Sequence, residues 1–133
     1  MKVTSLRIRG YHCDAYGHVN NARYLELLEE ARWKFLEPAI QDKFIDESSL
    51  LFVVVSIAIN FKRPLLPNQW IDIHIDDLTF KHKSISLAQT ITDSETNDVC
   101  SNAQITFVLL DAKTQKPTTI TSEIQQKFNQ LLI

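Results

Sequence analysis

Asp14, Gly17, His18, Asn20 and Asn21 fall within eight consecutive positions, inside the stretch HCDAYGHVNNARYLELLEEAR at residues 12–32. An Asp is ionised at neutral pH, with an ordinary pKa of about 3.9, so it can attack an electrophile or activate water. The helical pattern that follows begins with unpaired backbone N–H groups and the positive end of aligned peptide dipoles. A carboxylate facing those N–H groups suits attack on a carbonyl whose oxygen becomes anionic, because fixed donors stabilise that charge in place. The chain has only two glycines in 133 residues, and one of them is Gly17. A glycine lets the chain turn tightly enough to face Asp14 toward the helix start.

The same residues also have ordinary structural uses. Asp14 can close an Asx-turn within its loop, and Asn20 or Asn21 can cap the helix. A capping residue's backbone can still serve an oxyanion. His18 can pack over the helix start or orient a substrate. Cys13 adjoins Asp14, but a nucleophilic thiol needs a base and a depressed pKa. Alternation along the loop also turns it away from the acid. His74 and His82 have no partner at ligand spacing, so no metal site is expected.

The elements that hold these residues are legible in the apolar spacing. Residues 2–9 alternate, with Thr4, Leu6 and Ile8 on one face and Ser5, Arg7 and Arg9 on the other, the period of a half-buried strand. From about Asn20 the period becomes helical. Tyr24, Leu28, Ala31 and Phe35 share a stripe, which puts Tyr24 in the core, and Leu25 and Leu27 widen it. Glu30 and Lys34 stand at i,i+4 spacing, and Pro38 is expected to stop the helix near Glu37. A polar connection, QDKFIDES, leads into the apolar strand LLFVVVSIAINFKR, where Val55, Ile57, Ile59 and Phe61 alternate with polar or small residues. RPLLPNQ makes a turn, since two prolines do not fit a central strand. WIDIHIDDLTFKHK puts Ile71, Ile73 and Ile75 inward; SISLAQTITD and DVCSNAQITFVLLD follow as strands. Ser122 with Gln125 suggests a capping box for a closing helix over 122–131. Four hairpin-connected strands imply an antiparallel sheet, against which the amphipathic helix buries its stripe. The fold class is α+β, with one domain over residues 1–133.

Bulk properties narrow the function classes. A formal net charge of −2 leaves no basic excess for nucleic acid or an anionic membrane. No apolar run reaches the roughly 18 residues that span a bilayer, and the start resembles no signal or transit peptide. Cys13 and Cys100 form neither a disulfide framework nor a metal spacing, which favours reduced thiols in a cytoplasm.

The stretch DAYGHVNNARYLELLEEAR resembles the signature of the hotdog-fold thioesterases of the hydroxybenzoyl-CoA thioesterase type, and the later element order and the FKRP ending of the second strand match as well. The resemblance implies a long central helix wrapped by a curved antiparallel sheet of about five strands, with a short C-terminal helix. It implies hydrolysis of an acyl-CoA thioester with no cofactor, and a homodimer or homotetramer. Asp14 would be nucleophile or general base, and the backbone N–H at Asn21 would polarise the thioester carbonyl. His18 joins the catalytic set, and Gly17 and Tyr24 line the substrate site. Plant-type acyl-carrier-protein thioesterases share the HVNN stretch and carry Asp, Asn and His at alternate positions; here these are Asp14, Tyr16 and His18. A related branch uses a helix Glu, so Glu29 is the alternative carboxylate. The family's phosphate-binding basic residues correspond to Lys81 and Lys83, with Lys62 and Arg63 behind them. An acyl-carrier protein as partner, or a non-catalytic acyl-binding domain, are the rival readings.

Overall fold

The computed structural model describes residues 2–133, apart from the side chains of Phe44 and Asp46. Strand β1 (Lys2–Arg7) leads through a short 3-10 turn at Gly10–His12 to helix α1 (Asn21–Ile40). After α2 (Lys43–Glu47) come β2 (Leu50–Phe61), β3 (Trp70–Phe80), β4 (Ile85–Asp93), β5 (Val99–Asp111) and α3 (Ser122–Leu132). All strand pairs are antiparallel, and the five strands form one sheet. This is the expected α+β hotdog architecture. No helix among the described residues is long and apolar enough to cross a membrane.

Alternation sets the core. Ile71, Ile73 and Ile75 of β3 are fully buried, as are Ile85, Leu87 and Ile91 of β4. They meet Leu28, Ala31 and Phe35 from one side of α1. Burying such side chains contributes roughly 1.5–3 kcal/mol each before chain entropy is subtracted. The Glu30–Lys34 pair is present at 3.8 Å on the helix surface.

The sheet order corrects the hairpin reading of β2 and β3. The strands lie in the order β1-β3-β4-β5-β2, so β2 pairs with β5 and occupies one edge. The segment between β2 and β3 therefore crosses from one side of the sheet to the other. Its Leu65 is fully buried, and the Leu65 carbonyl accepts from the Val19 N–H at 2.9 Å. The crossover thus runs beneath the loop that carries Asp14.

Smaller corrections have local causes. Pro38 does not end α1, which continues to Ile40. The proline removes one donor, but the Gln41 N–H still reaches the Glu37 carbonyl at 3.0 Å, and buried Ala39 anchors the last turn. Leu25 faces outward from the helix and is exposed. In β2 the register shifts between Val54 and Ser56, which leaves Val55 as a bulged, exposed residue outside the inward set. Thr121, not Ser122, caps α3, its side chain accepting from the Ile124 N–H.

Candidate active site

Between β1 and α1 the loop is fixed by its own backbone. The Asp14 N–H donates to the His18 carbonyl at 2.9 Å, and the Gly17 N–H returns to the Asp14 carbonyl at 3.1 Å. Gly17 adopts φ +77°, a left-handed conformation that residues with a Cβ reach only at a cost. Cys13 and Val19 bridge across the base of the turn. The expected Asx-turn is present: Asp14 Oδ1 accepts from the Tyr16 N–H at 2.9 Å. No partner within the described residues engages the other carboxylate oxygen of Asp14.

Asn20 is the N-cap of α1, its side-chain oxygen accepting from the Ala22 N–H at 2.9 Å, while the Arg23 N–H donates to the Asn20 carbonyl at 2.8 Å. The Asn21 N–H has no acceptor among the described residues. The first turn of α1 holds no acidic side chain, so nothing of its own opposes the positive end of the helix.

Asp14, His18 and Asn21 line one cleft of about 270 Å³, together with Val19, Tyr24 and the Phe61–Pro64 segment. The structure therefore brings together the three residues singled out for chemistry. Tyr24 is buried, and its hydroxyl accepts from the Leu65 N–H at 3.2 Å. Burial pushes its phenol above the usual range. Its ring stands edge-on to Phe61 with centroids 4.8 Å apart, forming the cleft's apolar wall. Gly17 shapes the loop without lining the cleft.

The basic residues divide. Lys81 and Lys83 occupy the turn between β3 and β4, whereas the Asp14 loop lies beside the opposite end of β3, where the Ile8 N–H meets the Gln69 carbonyl. With 11 residues in β3, those ends are about 35 Å apart. Within one chain these lysines do not reach the cleft. Lys62 and Arg63 do, and Arg63 is held by Asp98 at 2.6 Å. The FKRP sequence carried that signal, since a strand end followed by a proline turn fixes where its cations emerge.

The other candidates are separated from the cleft. Glu29 sits further along α1 and accepts from Trp33 Nε1 at 3.2 Å. Among the described residues no group of three His, Cys, Asp or Glu could hold a metal ion.

Comparison with known proteins gives the family and the fold. Residues 8–128 match the model of the thioesterase-like superfamily. The chain is 42% identical over 129 residues to the long-chain acyl-CoA thioesterase FadM of Escherichia coli K12, covering 97% of this chain and 98% of that protein. The crystal structure of the probable thioesterase YbaW from Escherichia coli superposes with a TM-score of 0.91 at 41% identity, covering 98% of each chain. A 1,4-dihydroxy-2-naphthoyl-CoA thioesterase from Synechocystis shares the fold alone, at a TM-score of 0.82 and 15% identity over 97% of this chain and 96% of that one. A family match from Ile8 to Phe128 takes in the Asp14 loop, the α1 start and strands β2 to β5, and the chain belongs to the thioesterase-like superfamily.

Proposed function

We propose that the protein hydrolyses acyl-CoA thioesters, releasing the free acid and CoA. The observation that carries this reading is the convergence of the Asp14 carboxylate and the unpaired Asn21 N–H on one cleft. The similarity to FadM supports CoA as the carrier.

In the reaction, the thioester carbonyl oxygen points at the Asn21 N–H. Asp14 either attacks the carbonyl carbon or takes a proton from the attacking water. Charge then develops on the oxygen at the helix start, where the peptide dipoles and the N–H stabilise it. Collapse expels the CoA thiolate, a good leaving group that needs no strong general acid. Where water has attacked, this frees the acid directly. Where Asp14 has attacked, water then cleaves the acyl–Asp14 anhydride to release the acid and return the carboxylate. His18, exposed on the turn beside Asp14, orients the substrate. Lys62 meets the phosphates of CoA, the role that the resemblance assigned to Lys81 and Lys83.

The acting unit is a homodimer or a larger homo-oligomer. β2 is a long edge strand whose Leu51, Val54, Val55 and Phe61 are exposed, and an unprotected apolar edge favours pairing with a second copy. Free thiols at Cys13 and Cys100 suit a reducing cytoplasm.

CoA release from a panel of short, long and aromatic acyl-CoAs tests the reading. Thiol release well above the uncatalysed rate on at least one class is expected. Binding of acyl-CoA without any release would leave a non-catalytic acyl-binding domain. Release from acyl-carrier-protein thioesters alone would move the protein to the other carrier.

A further inference from the structure

Arg32 lies on α1 and is 7% exposed, a depth at which arginine normally has a carboxylate partner. Here the guanidinium Nη1 donates instead to Gln89 Oε1 at 2.8 Å, and no carboxylate within the described residues lies at ion-pair distance from it. Gln89 is itself fully buried and spends its amide on the Leu28 carbonyl at 3.0 Å. Most of the five N–H donors of Arg32 are therefore left over. Burial holds its guanidinium below the usual range, and Glu29 works against that shift.

Arg32 lines a cavity of about 350 Å³, within the size range of small-molecule sites. The remaining wall is Leu36, Phe52 and Phe107 with Trp33, Val53 and Val54, and Glu29 is the other polar group. The cavity and the Asp14 cleft both open on the side of α1 that faces β2. Arg32 stands about three turns beyond Asn21, about 16 Å along the helix axis. An extended acyl chain advances about 1.3 Å per carbon–carbon bond, so a chain whose carbonyl sits at Asn21 reaches Arg32 near its twelfth carbon.

The unmatched Arg32 donors favour a group that can accept from them. Glu29, an exposed lining residue that already accepts from Trp33 Nε1, offers a second, separate acceptor, so a neutral group able to accept and donate suits the pair. A carboxylate there would meet Glu29, and an unsubstituted chain would leave the Arg32 donors unmatched. We infer that this cavity takes the distal part of an acyl chain bearing a hydroxyl, which accepts from Arg32 and donates to Glu29. The inference rests on the thioesterase reading for the location of the carbonyl.

The test compares CoA thioesters of about twelve carbons that end in a methyl, a hydroxymethyl or a carboxylate. The wild-type protein should favour the hydroxylated chain by at least ~10-fold in kcat/KM, since a site built to bond a hydroxyl discriminates against analogues that lack it. In Arg32→Met that preference should vanish. Equal kcat/KM for hydroxylated and unsubstituted chains in the wild-type protein overturns the inference, and so does a preference for the carboxylate. Loss of thermal stability in Arg32→Met without a changed ratio would make Arg32 only a brace between α1 and β4. Calorimetric binding of the free hydroxylated and unsubstituted fatty acids reads the same cavity without the reaction. Tighter binding of the hydroxylated acid is expected, and equal binding overturns the assignment even if no thioester is hydrolysed.

Discussion

The Tyr16 N–H and the Asp14 carboxylate are joined at 2.9 Å, so the acid that faces the helix start is held by its own turn. This bond occupies Oδ1 and leaves the second oxygen to the cleft. An Asx-turn and a reactive carboxylate are therefore compatible uses of Asp14, the first setting the direction of the second. Tyr16 is 87% exposed and does not line the cleft, so it meets the acid through its backbone N–H. That is how this chain can carry Tyr at a position where the carrier-protein thioesterases it resembles have Asn.

Asp14→Asn separates the two uses. Asn keeps an oxygen that can accept from Tyr16, so the loop and the thermal unfolding curve should be nearly unchanged. It loses the negative charge, and kcat should fall by at least ~100-fold, the scale of a lost acid–base or nucleophilic group. Steady-state turnover on acyl-CoA checks this. Near-native activity would transfer the chemistry to Glu29.

Gly17→Ala tests the turn. A Cβ at Gly17 would meet nothing within 4 Å, so its effect comes from the φ of +77° alone. The cost should be about 1–2 kcal/mol, a fall in Tm of several degrees for a chain of this size. Activity should drop with it, because the turn sets the position of Asp14. An unchanged Tm would mean that the loop relaxes without strain.

Local periodicity carried most of the fold. The inward isoleucines of β3 and the stripe of Tyr24, Leu28, Ala31 and Phe35 followed from spacing, because burial on one face leaves a period in the sequence. Strand order did not follow, since the partner of β2 lies some fifty residues away in β5 and no local signal names it. The bulge at Val55 was hidden for the same reason: an extra residue on one strand is visible only against its partner. At the site, Asp14, His18 and Asn21 were legible because they are adjacent in sequence. The buried Arg32 was not, because a charged residue at helical spacing looks like surface until Gln89 is seen beneath it.

His12 links pH to the stability of the loop. Its Nδ1 accepts from the Arg9 N–H at 2.8 Å, and its carbonyl accepts from the Asn20 N–H at 2.9 Å, just ahead of α1. Burial lowers the His12 pKa first, and the Arg23 charge adds to it. The folded state thus prefers the neutral ring, so its contribution is complete above the unfolded value of about 6.5 and is lost as pH falls toward the folded value. Tm should decline from pH 7 to 5 in the wild-type protein and decline less in His12→Asn, whose side-chain oxygen does not titrate. Parallel Tm profiles would remove His12 as the cause.

Pairing through β2 should be visible in solution. Light scattering at micromolar protein should give at least twice the chain mass. Val55→Lys, which puts a charge on the exposed bulge, should shift the distribution toward smaller species, because edge charges oppose strand pairing. A stable, active monomer of the wild-type chain would refute the oligomer.

Carrier recognition should depend on Lys62 more than on the distant turn. Lys62 lines the Asp14 cleft, and among the described residues its ammonium has no ion-pair partner, whereas Arg63 is committed to Asp98. An exposed lysine–phosphate contact contributes up to about 1 kcal/mol, so Lys62→Ala should raise KM for acyl-CoA by up to about fivefold. The effect should shrink with added salt, because screening acts over about 8–10 Å at moderate ionic strength. Since the contact is the same in ground and transition states, kcat should hold. A pantetheine thioester without the nucleotide should show no KM change. Lys81→Ala with Lys83→Ala should leave both substrates unaffected if the cleft of one chain binds the phosphates alone. A larger KM effect from that double variant than from Lys62→Ala would mean that a second copy carries its β3–β4 turn to the cleft, and would restore those two lysines as the phosphate contacts.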